Sequence, residues 1–247
     1  MHSPPPATPV IVKQTSPTLP LGFVSAIRNH SNIAGALGNR LNAAGSERVV
    51  HSGTLTDGNG KRNFTVTTEL PGKIRVDDPG QQGKALSFDG NNGASNKGAV
   101  SADDNDLLEL LAHDTQEGFL SAVANGGGLR LIGGNFRTDD GKTTDYKGPW
   151  LEIYQINFPA VSRSDKAVRA KFYMFDSSTH LLQRVSYDSG GGSSARVEVV
   201  FGPWLTAQGN QVPGKITRLE NGVKKLEVEF STATFAKGVS DNAFTKP

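Results

Sequence analysis

The stretch Arg48-Val49-Val50-His51-Ser52-Gly53-Thr54-Leu55-Thr56-Asp57-Gly58-Asn59-Gly60 decides the fold class. Val50, Ser52, Thr54 and Thr56 alternate with Val49, His51, Gly53 and Leu55, a period of two that suits a strand. Asp-Gly and Asn-Gly follow, residues that tolerate positive φ and mark a tight hairpin. The chain then returns in the same period, with Phe64, Val66 and Thr68 alternating with Thr65 and Thr67. Pro71-Gly72 ends that strand, and Lys73–Val76 and Lys84–Phe88 read as two more. Asp89-Gly90-Asn91-Asn92-Gly93 makes another turn.

Working outward, residues 21–45 place Phe23, Ile27, Ala34, Leu37 and Leu41 near helical spacing, weakened by Gly22, Gly35 and Gly38. A second helical region is expected over 103–124, capped by Asp103, Asp104 or Asn105. Leu107, Leu108, Leu110 and Leu111 form one apolar face, Phe119, Leu120 and Val123 a second, and Gly126-Gly127-Gly128 stop it. Beyond lie candidate strands at 129–137, 148–158, 167–176, 180–188, 195–204, 211–220 and 223–234. Asn221-Gly222 is a two-residue hairpin signal between the last two. This order predicts an α+β domain with one large antiparallel sheet.

The strand faces carry the functional expectation. Val168, Ala170, Phe172 and Met174 share one face, and Arg169, Lys171 and Tyr173 the other. Leu226, Val228 and Phe230 oppose Lys225, Glu227 and Glu229. One sheet face is thus expected apolar and the other wet. A strongly curved sheet wrapped around the two helical segments would cover the apolar face and leave a concave cavity. A fully filled core is the competing expectation.

Composition narrows the function classes. The 247 residues contain no cysteine, which removes disulfides, thiol nucleophiles and cysteine zinc sites. The 26 basic and 24 acidic residues are interspersed, with no basic cluster to bind nucleic acid. No run approaches the ~18 apolar residues of a membrane span. Residues 1–20 hold Pro4, Pro5, Pro6, Pro9, Pro17 and Pro20 and read as a flexible tail that cannot pack a core, leaving 21–247 as one domain. Met1 runs straight into this tract without a signal peptide, as expected of a chain whose leader has been removed.

No catalytic constellation is legible. His2, His30, His51, His113 and His180 show no two-histidine metal spacing. No serine sits in a Gly-x-Ser-x-Gly elbow, and the glycine stretches 125–128 and 190–192 lack the lysine and hydroxyl of a phosphate loop. Asp103, Asp104 and Asp106, and Asp139, Asp140 and Asp145, lack the alternating ligands and distal Glu of a calcium loop. The expectation is a binder without cofactor or metal, not an enzyme.

Several short motifs, in order, resemble one family. Gly209-Asn210-Gln211-Val212-Pro213-Gly214-Lys215-Ile216 resembles the "G-x-x-(x)-P-x-x-I" strand opening of bacterial outer-membrane lipoprotein-sorting and carrier proteins. The strand 224–235, followed by Phe244-Thr245-Lys246-Pro247, resembles that family's closing strand and terminal "F-x-x-P". Pro71-Gly72-Lys73-Ile74-Arg75 resembles its third strand, and Asp89-Gly90 its turn after strand four. The family often has an aromatic after that turn, where Asn91 stands here. The resemblance implies an unclosed β-barrel with a helical lid over an apolar cavity that shelters lipid or lipoprotein acyl chains in the periplasm. Arg75 is the nearest match to an early-strand arginine that helps hold the lid.

The resulting expectation is a periplasmic or secreted carrier. Its cavity would be lined by Phe64, Val66, Ile74, Phe172, Met174, Leu226, Val228 and Phe230, with Leu107, Leu108, Leu111 and Phe119 on the lid. Its partner would be a lipid or lipoprotein acyl chain. The alternative is an envelope structural or interaction module, tethered by residues 1–20, with an exposed patch around Trp150 and Trp204. A large apolar pocket distinguishes the carrier, and a filled sheet–helix interface counts against it.

Overall fold

A computed structural model describes residues 32–33, 35–36, 48–69, 72–124, 130–134, 151–159, 168–189, 195–236 and 242–245. The helix expected over 21–45 lies almost wholly outside them; Asn32, Ile33, Gly35 and Ala36 are helical. Also outside are residues 1–20, Trp150 and the acidic turn at 139–145.

Twelve strands form one antiparallel sheet. In chain order these are β1 (Arg48–Asp57), β2 (Gly60–Glu69), β3 (Lys73–Asp78), β4 (Lys84–Phe88), β5 (Gly93–Ser95), β6 (Arg130–Gly134), β7 (Leu151–Pro159), β8 (Val168–Asp176), β9 (Leu182–Asp188), β10 (Arg196–Phe201), β13 (Lys215–Glu220) and β14 (Val223–Ala236). Between β10 and β13 a separate hairpin stands off, β11 (Trp204–Ala207) and β12 (Asn210–Pro213). The sheet order is β5-β4-β3-β2-β1-β14-β13-β10-β9-β8-β7-β6. The first and last long strands therefore meet in the middle, and among the described residues β5 and β6 are the edges.

The turn chemistry is what the sequence requires. Asp57 pairs with Gly60 across Gly58-Asn59, and Asn221 and Gly222 adopt φ of 49° and 77°. Asp89 accepts from the backbone N–H groups of Asn91 and Asn92 at 2.8 Å each. The strands expected over 195–204 and 211–220 are each divided. Gly202 at φ 133° ends β10, and Gly214 separates β12 from β13.

The connection between the two sheet edges carries α1 (Ala102–Ala112) and α2 (Gln116–Ala124). The single helix expected over 103–124 is thus two, broken at His113-Asp114-Thr115. The cap is Ser101, not an aspartate: its side chain accepts from the Asp104 N–H while Asp104 accepts from the Ser101 N–H, a capping box.

Curvature follows from what these helices touch. Lys84 of β4 pairs with Asp104 at 2.6 Å, and Lys171 of β8 pairs with Asp114 at 2.5 Å. Ten helical residues rise ~15 Å. Strands eight places apart in a flat sheet would lie ~38 Å apart at ~4.8 Å per strand. Only a strongly curved sheet brings both to α1 and the short link that follows it. The protein is therefore an α+β unclosed barrel wrapped around helices, with its core between the concave face and α1–α2. A short α3 (Asn242–Thr245) packs near β3 and β4. Its Phe244 is buried beside Arg48 and Lys73, with the Arg48 guanidinium 5.4 Å from the ring centre.

Candidate functional site

The concave face is built by register. Leu86, Val76, Val66 and His51 follow one another across β4, β3, β2 and β1, and Phe64, Gly53 and Phe230 continue across β2, β1 and β14. Gly53 sits at a bulge, where Ser52 opposes Thr232 and Gly53 opposes Phe230. A Cβ at Gly53 would run into the backbone carbonyl of Glu229, so the close approach of β1 and β14 needs glycine there. Phe230 lies over His51, ring centres 4.6 Å apart, and beside Phe64 at 5.8 Å.

Ten of the twelve expected positions join the buried cluster between sheet and helices: Phe64, Val66, Ile74, Leu226, Val228 and Phe230 from strands, and Leu107, Leu108, Leu111 and Phe119 from helices. Phe172 and Met174 do not. In β8 the buried face toward the helices is Lys171, Tyr173 and Phe175, each 0% exposed. Phe172 and Met174 therefore point from the opposite face, and the face expected to be wet is the inner one. The reason is chemical: Lys171 has buried partners, which a hydropathy alternation does not register.

Those partners lie on the helical connection. The Lys171 ammonium meets Glu109 at 2.7 Å and Asp114 at 2.5 Å, and lies 4.2 Å from the centre of the Tyr187 ring. The Tyr187 hydroxyl donates to Asp114 at 2.8 Å, and the Tyr173 hydroxyl to the His113 carbonyl at 2.7 Å. Burial pushes the Asp114 carboxyl up, while the Lys171 charge opposes the shift. Burial also pushes His113 down to about 3, with Lys171 reinforcing it, and raises both phenols. On β13, Arg218 reaches α1, pairing with Asp106 at 3.0 Å and with Glu220 at 2.9 Å. Gln116 at the start of α2 donates to the Ile33 and His180 carbonyls and accepts from the Leu182 N–H. Arg75 plays no such part: it pairs with Asp77 and donates to the Ala243 carbonyl of α3, away from α1 and α2.

Among the described residues, a polar cavity of about 40 Å³ lies between Arg62, Asp78, Lys84 and the Ser101 end of α1, and two further cavities flank that helix. One, of about 40 Å³, lies by its C-terminal end, among His51, Val66, Ile74, Leu111, Ile216 and Phe230, with Glu69, Lys73 and Glu117 at its margin. That volume holds a few waters at most and falls well short of the roughly 150 Å³ that accepts a benzene. The other, of about 250 Å³, lies by the N-terminal end among Asp57, Asp103, Asp106, Arg218, Glu220 and Lys225. It is larger but polar, with Leu226 as its apolar wall. Among the described residues, the cavities beside α1 are thus small or polar, and none is the large apolar pocket expected of a carrier. Trp204 is half-buried: its ring packs on Phe201 and its N–H donates to the Leu182 carbonyl, while Leu205 beside it is exposed.

Among the described residues, no three His, Asp or Glu side chains are placed to hold a metal, and no helix is long and apolar enough to cross a membrane. No known family profile matches the sequence, and no curated protein matches it significantly. Solved structures do match. A LolA superfamily protein from Nitrosomonas europaea superposes with a TM-score of 0.54 at 11% identity, over 88% of this chain and 97% of that one. A putative outer membrane lipoprotein-sorting protein domain from Vibrio parahaemolyticus gives a TM-score of 0.50 at 9% identity, over 88% and 97%. The chain thus shares the unclosed-barrel fold of the lipoprotein-sorting proteins, as the ordered motifs of its sequence imply.

Proposed function

We propose that this protein is a non-enzymatic carrier of the bacterial envelope that holds an acyl chain of a lipid or lipoprotein between the concave sheet and α1–α2. The observation that carries this reading is topological. The apolar concave face is covered by two short helices strung between the open edges of the sheet, so the cover can lift without breaking a strand pair. The small cavity beside Phe230 and Leu111 is lined by residues of the apolar face. Because it is too small for an acyl chain, entry requires α1–α2 to move. Each methylene then buried contributes roughly 0.8 kcal/mol, which needs no specific polar contact. The fold shared with lipoprotein-sorting proteins supports the substrate class and a periplasmic location.

The small size of the apolar cavity among the described residues favours a second reading, an envelope interaction module without a small ligand. Native mass spectrometry of the purified chain, with extraction of bound lipid and uptake of added fatty acid or lipopeptide, separates the two. The carrier reading expects a stoichiometric acyl ligand, lost on Phe230→Asp and retained on Phe172→Asp, which alters the outer face. A clean apo mass with no uptake would establish the interaction module instead.

A further inference from the structure

The cavity of about 250 Å³ at the N-terminal end of α1 carries both signs of charge and does not pair them fully. Asp57 is held by Arg62, which donates to both carboxylate oxygens at 2.7 Å. Asp106 and Glu220 share Arg218. Asp103 and Lys225 also line the cavity; both are exposed, and neither makes a hydrogen bond or ion pair. Arg218 forms a buried wall, 2% exposed. Its terminal nitrogens donate to Glu220 and to the carboxylate and carbonyl of Asp106, but its buried Nε–H has no acceptor. A buried donor on a charged group is costly to leave unpaired, and an oxygen seated in the cavity would satisfy it. Lys225 reaches the cavity through a bulge. Arg218 opposes Leu226 and Leu219 opposes Lys224, so Lys225 is the extra residue of β14. A bulge re-aims a side chain that strict alternation would send to the other face. Lys225 and Leu226, neighbours in sequence, thus line one cavity.

We infer that this cavity binds a phosphoethanolamine group, the head group of an acyl lipid, with its ammonium toward Asp103, Asp106 and Glu220 and its phosphate toward Lys225 and the Arg218 Nε–H. Charge selects the zwitterion. With Asp57 held by Arg62, three carboxylates face two cations, which favours an ammonium. The unengaged Lys225 and the Arg218 donor call for an anionic oxygen as well, since charge-assisted hydrogen bonds are the strong ones. A bare metal ion meets only half of that demand, and no three of these carboxylates converge to chelate one. The volume also suffices, exceeding the roughly 150 Å³ that accepts a benzene. The Leu226 wall sets the direction of the rest of the lipid. Leu226, Val228 and Phe230 alternate along the inner face of β14 and belong to the buried cluster. Phe230 lines the small apolar cavity at the other end of α1, about 14 Å further along the strand. A head group seated beside Leu226 therefore leaves its acyl chains aligned with Val228 and Phe230. The inference rests on the carrier reading for the acyl part, not for the polar contacts.

The test titrates the full chain with glycerophosphoethanolamine, the head group without acyl chains, and follows the backbone amides of Asp103, Asp106, Arg218 and Leu226 by NMR. The expected result is a saturable shift of these amides. It occurs at lower concentration than with glycerol phosphate, which lacks the ammonium, or ethanolamine, which lacks the phosphate. Asp103→Asn and Lys225→Gln change exposed side chains that the fold does not use, and each weakens binding about two- to fivefold. Lys224→Gln, whose lysine pairs with Glu227 outside the cavity, leaves binding unchanged. No saturable shift, an equal response to either half of the head group, or an equal loss in Lys224→Gln would overturn the site. The lipid source is read with short-chain phosphatidylethanolamine below its micelle concentration, against phosphatidylglycerol of the same chains. Binding tighter than that of glycerophosphoethanolamine, and tighter than that of phosphatidylglycerol, supports the lipid head group. No gain from the acyl chains confines the site to a soluble phosphoethanolamine compound and refutes the carrier. Equal capture of both lipids keeps the carrier and overturns the head-group site.

Discussion

Phe119→Ala tests how firmly the helices are held. Phe119 is 1% exposed and is the aromatic wedge of α2, with ring centres 5.5 Å from Tyr154, 5.2 Å from Tyr173 and 4.8 Å from Phe175. Burying a Phe side chain contributes roughly 1.5–3 kcal/mol, and each favourable ring pair adds about 0.5–1.5 kcal/mol. The strands beneath are fixed by their ladders, so the site cannot collapse fully and a cavity remains. Together these place the cost of Phe119→Ala at about 3–5 kcal/mol. With a urea slope of ~3 kcal/mol/M, the unfolding midpoint falls by about 1–1.7 M at constant slope. If the helices open as a unit below the global transition, part of the loss appears instead as faster exchange of Leu110, Leu111 and Leu120. An unchanged midpoint together with unchanged exchange of these amides would refute the claim that Phe119 clamps α2 to the sheet.

Three further outcomes follow from particular contacts. Gly53→Ala forces β1 away from the Glu229 carbonyl and costs about 1–3 kcal/mol by chemical denaturation, with exchange rising on both sides of the bulge. Phe244→Ala removes a buried ring held beside Arg48 and Lys73 and costs up to ~3 kcal/mol, less if α3 simply detaches; a thermal melt checks it. Asp176 accepts from the Ser178 and Thr179 N–H groups at 2.8 Å each, and these bonds outweigh burial to hold its carboxyl below the usual range. Its contribution is therefore present above about pH 4 and lost as pH falls through the folded value. Asp176→Ala should flatten that part of the acid limb, read from urea midpoints at pH 3 and pH 7.

Much of the fold was legible because its signals are local. Period-two alternation from Arg48 to Glu69 and Asn-Gly or Asp-Gly turns need only neighbouring residues, and they placed β1, β2, β13 and β14. The division at Gly214 was not legible, because a glycine between two extended stretches looks like one strand until the β11–β12 hairpin bends away. The break at His113-Asp114-Thr115 escaped for a similar reason: leucines on either side kept helical spacing across it. The inner face of β8 was missed because Lys171 is apolar in neither composition nor periodicity. It is buried because Glu109 and Asp114, far away in sequence, come to meet it. A lysine between Ala170 and Phe172 carries no signal of such partners. The only hint was the pair of carboxylates at Glu109 and Asp114, flanking an otherwise apolar helix end.

This placement divides the barrel interior into two chemically distinct halves, and the division bears on where a ligand can go. Around β1 to β4 and β14, the inner face is Leu55, Phe64, Val66, Ile74, Val76, Val228 and Phe230, with His51 as its polar group. Around β8, β9 and β13 the apolar residues Phe175, Leu182, Val185 and Ile216 are joined by Lys171, Tyr173, Tyr187 and Arg218, each tied to the helical connection. An apolar chain entering the second half would strip buried charges of their partners, at a cost of about 3–5 kcal/mol for one broken buried pair. Entering the first half it displaces only side-chain packing. For the proposed acyl ligand, the energetics therefore favour a path along β1–β3 and β14, starting from the small cavity at Phe230 and His51. In the proposed carrier, the half with these polar ties is the fixed side of the interior, from which the helices would be released before the apolar half opens.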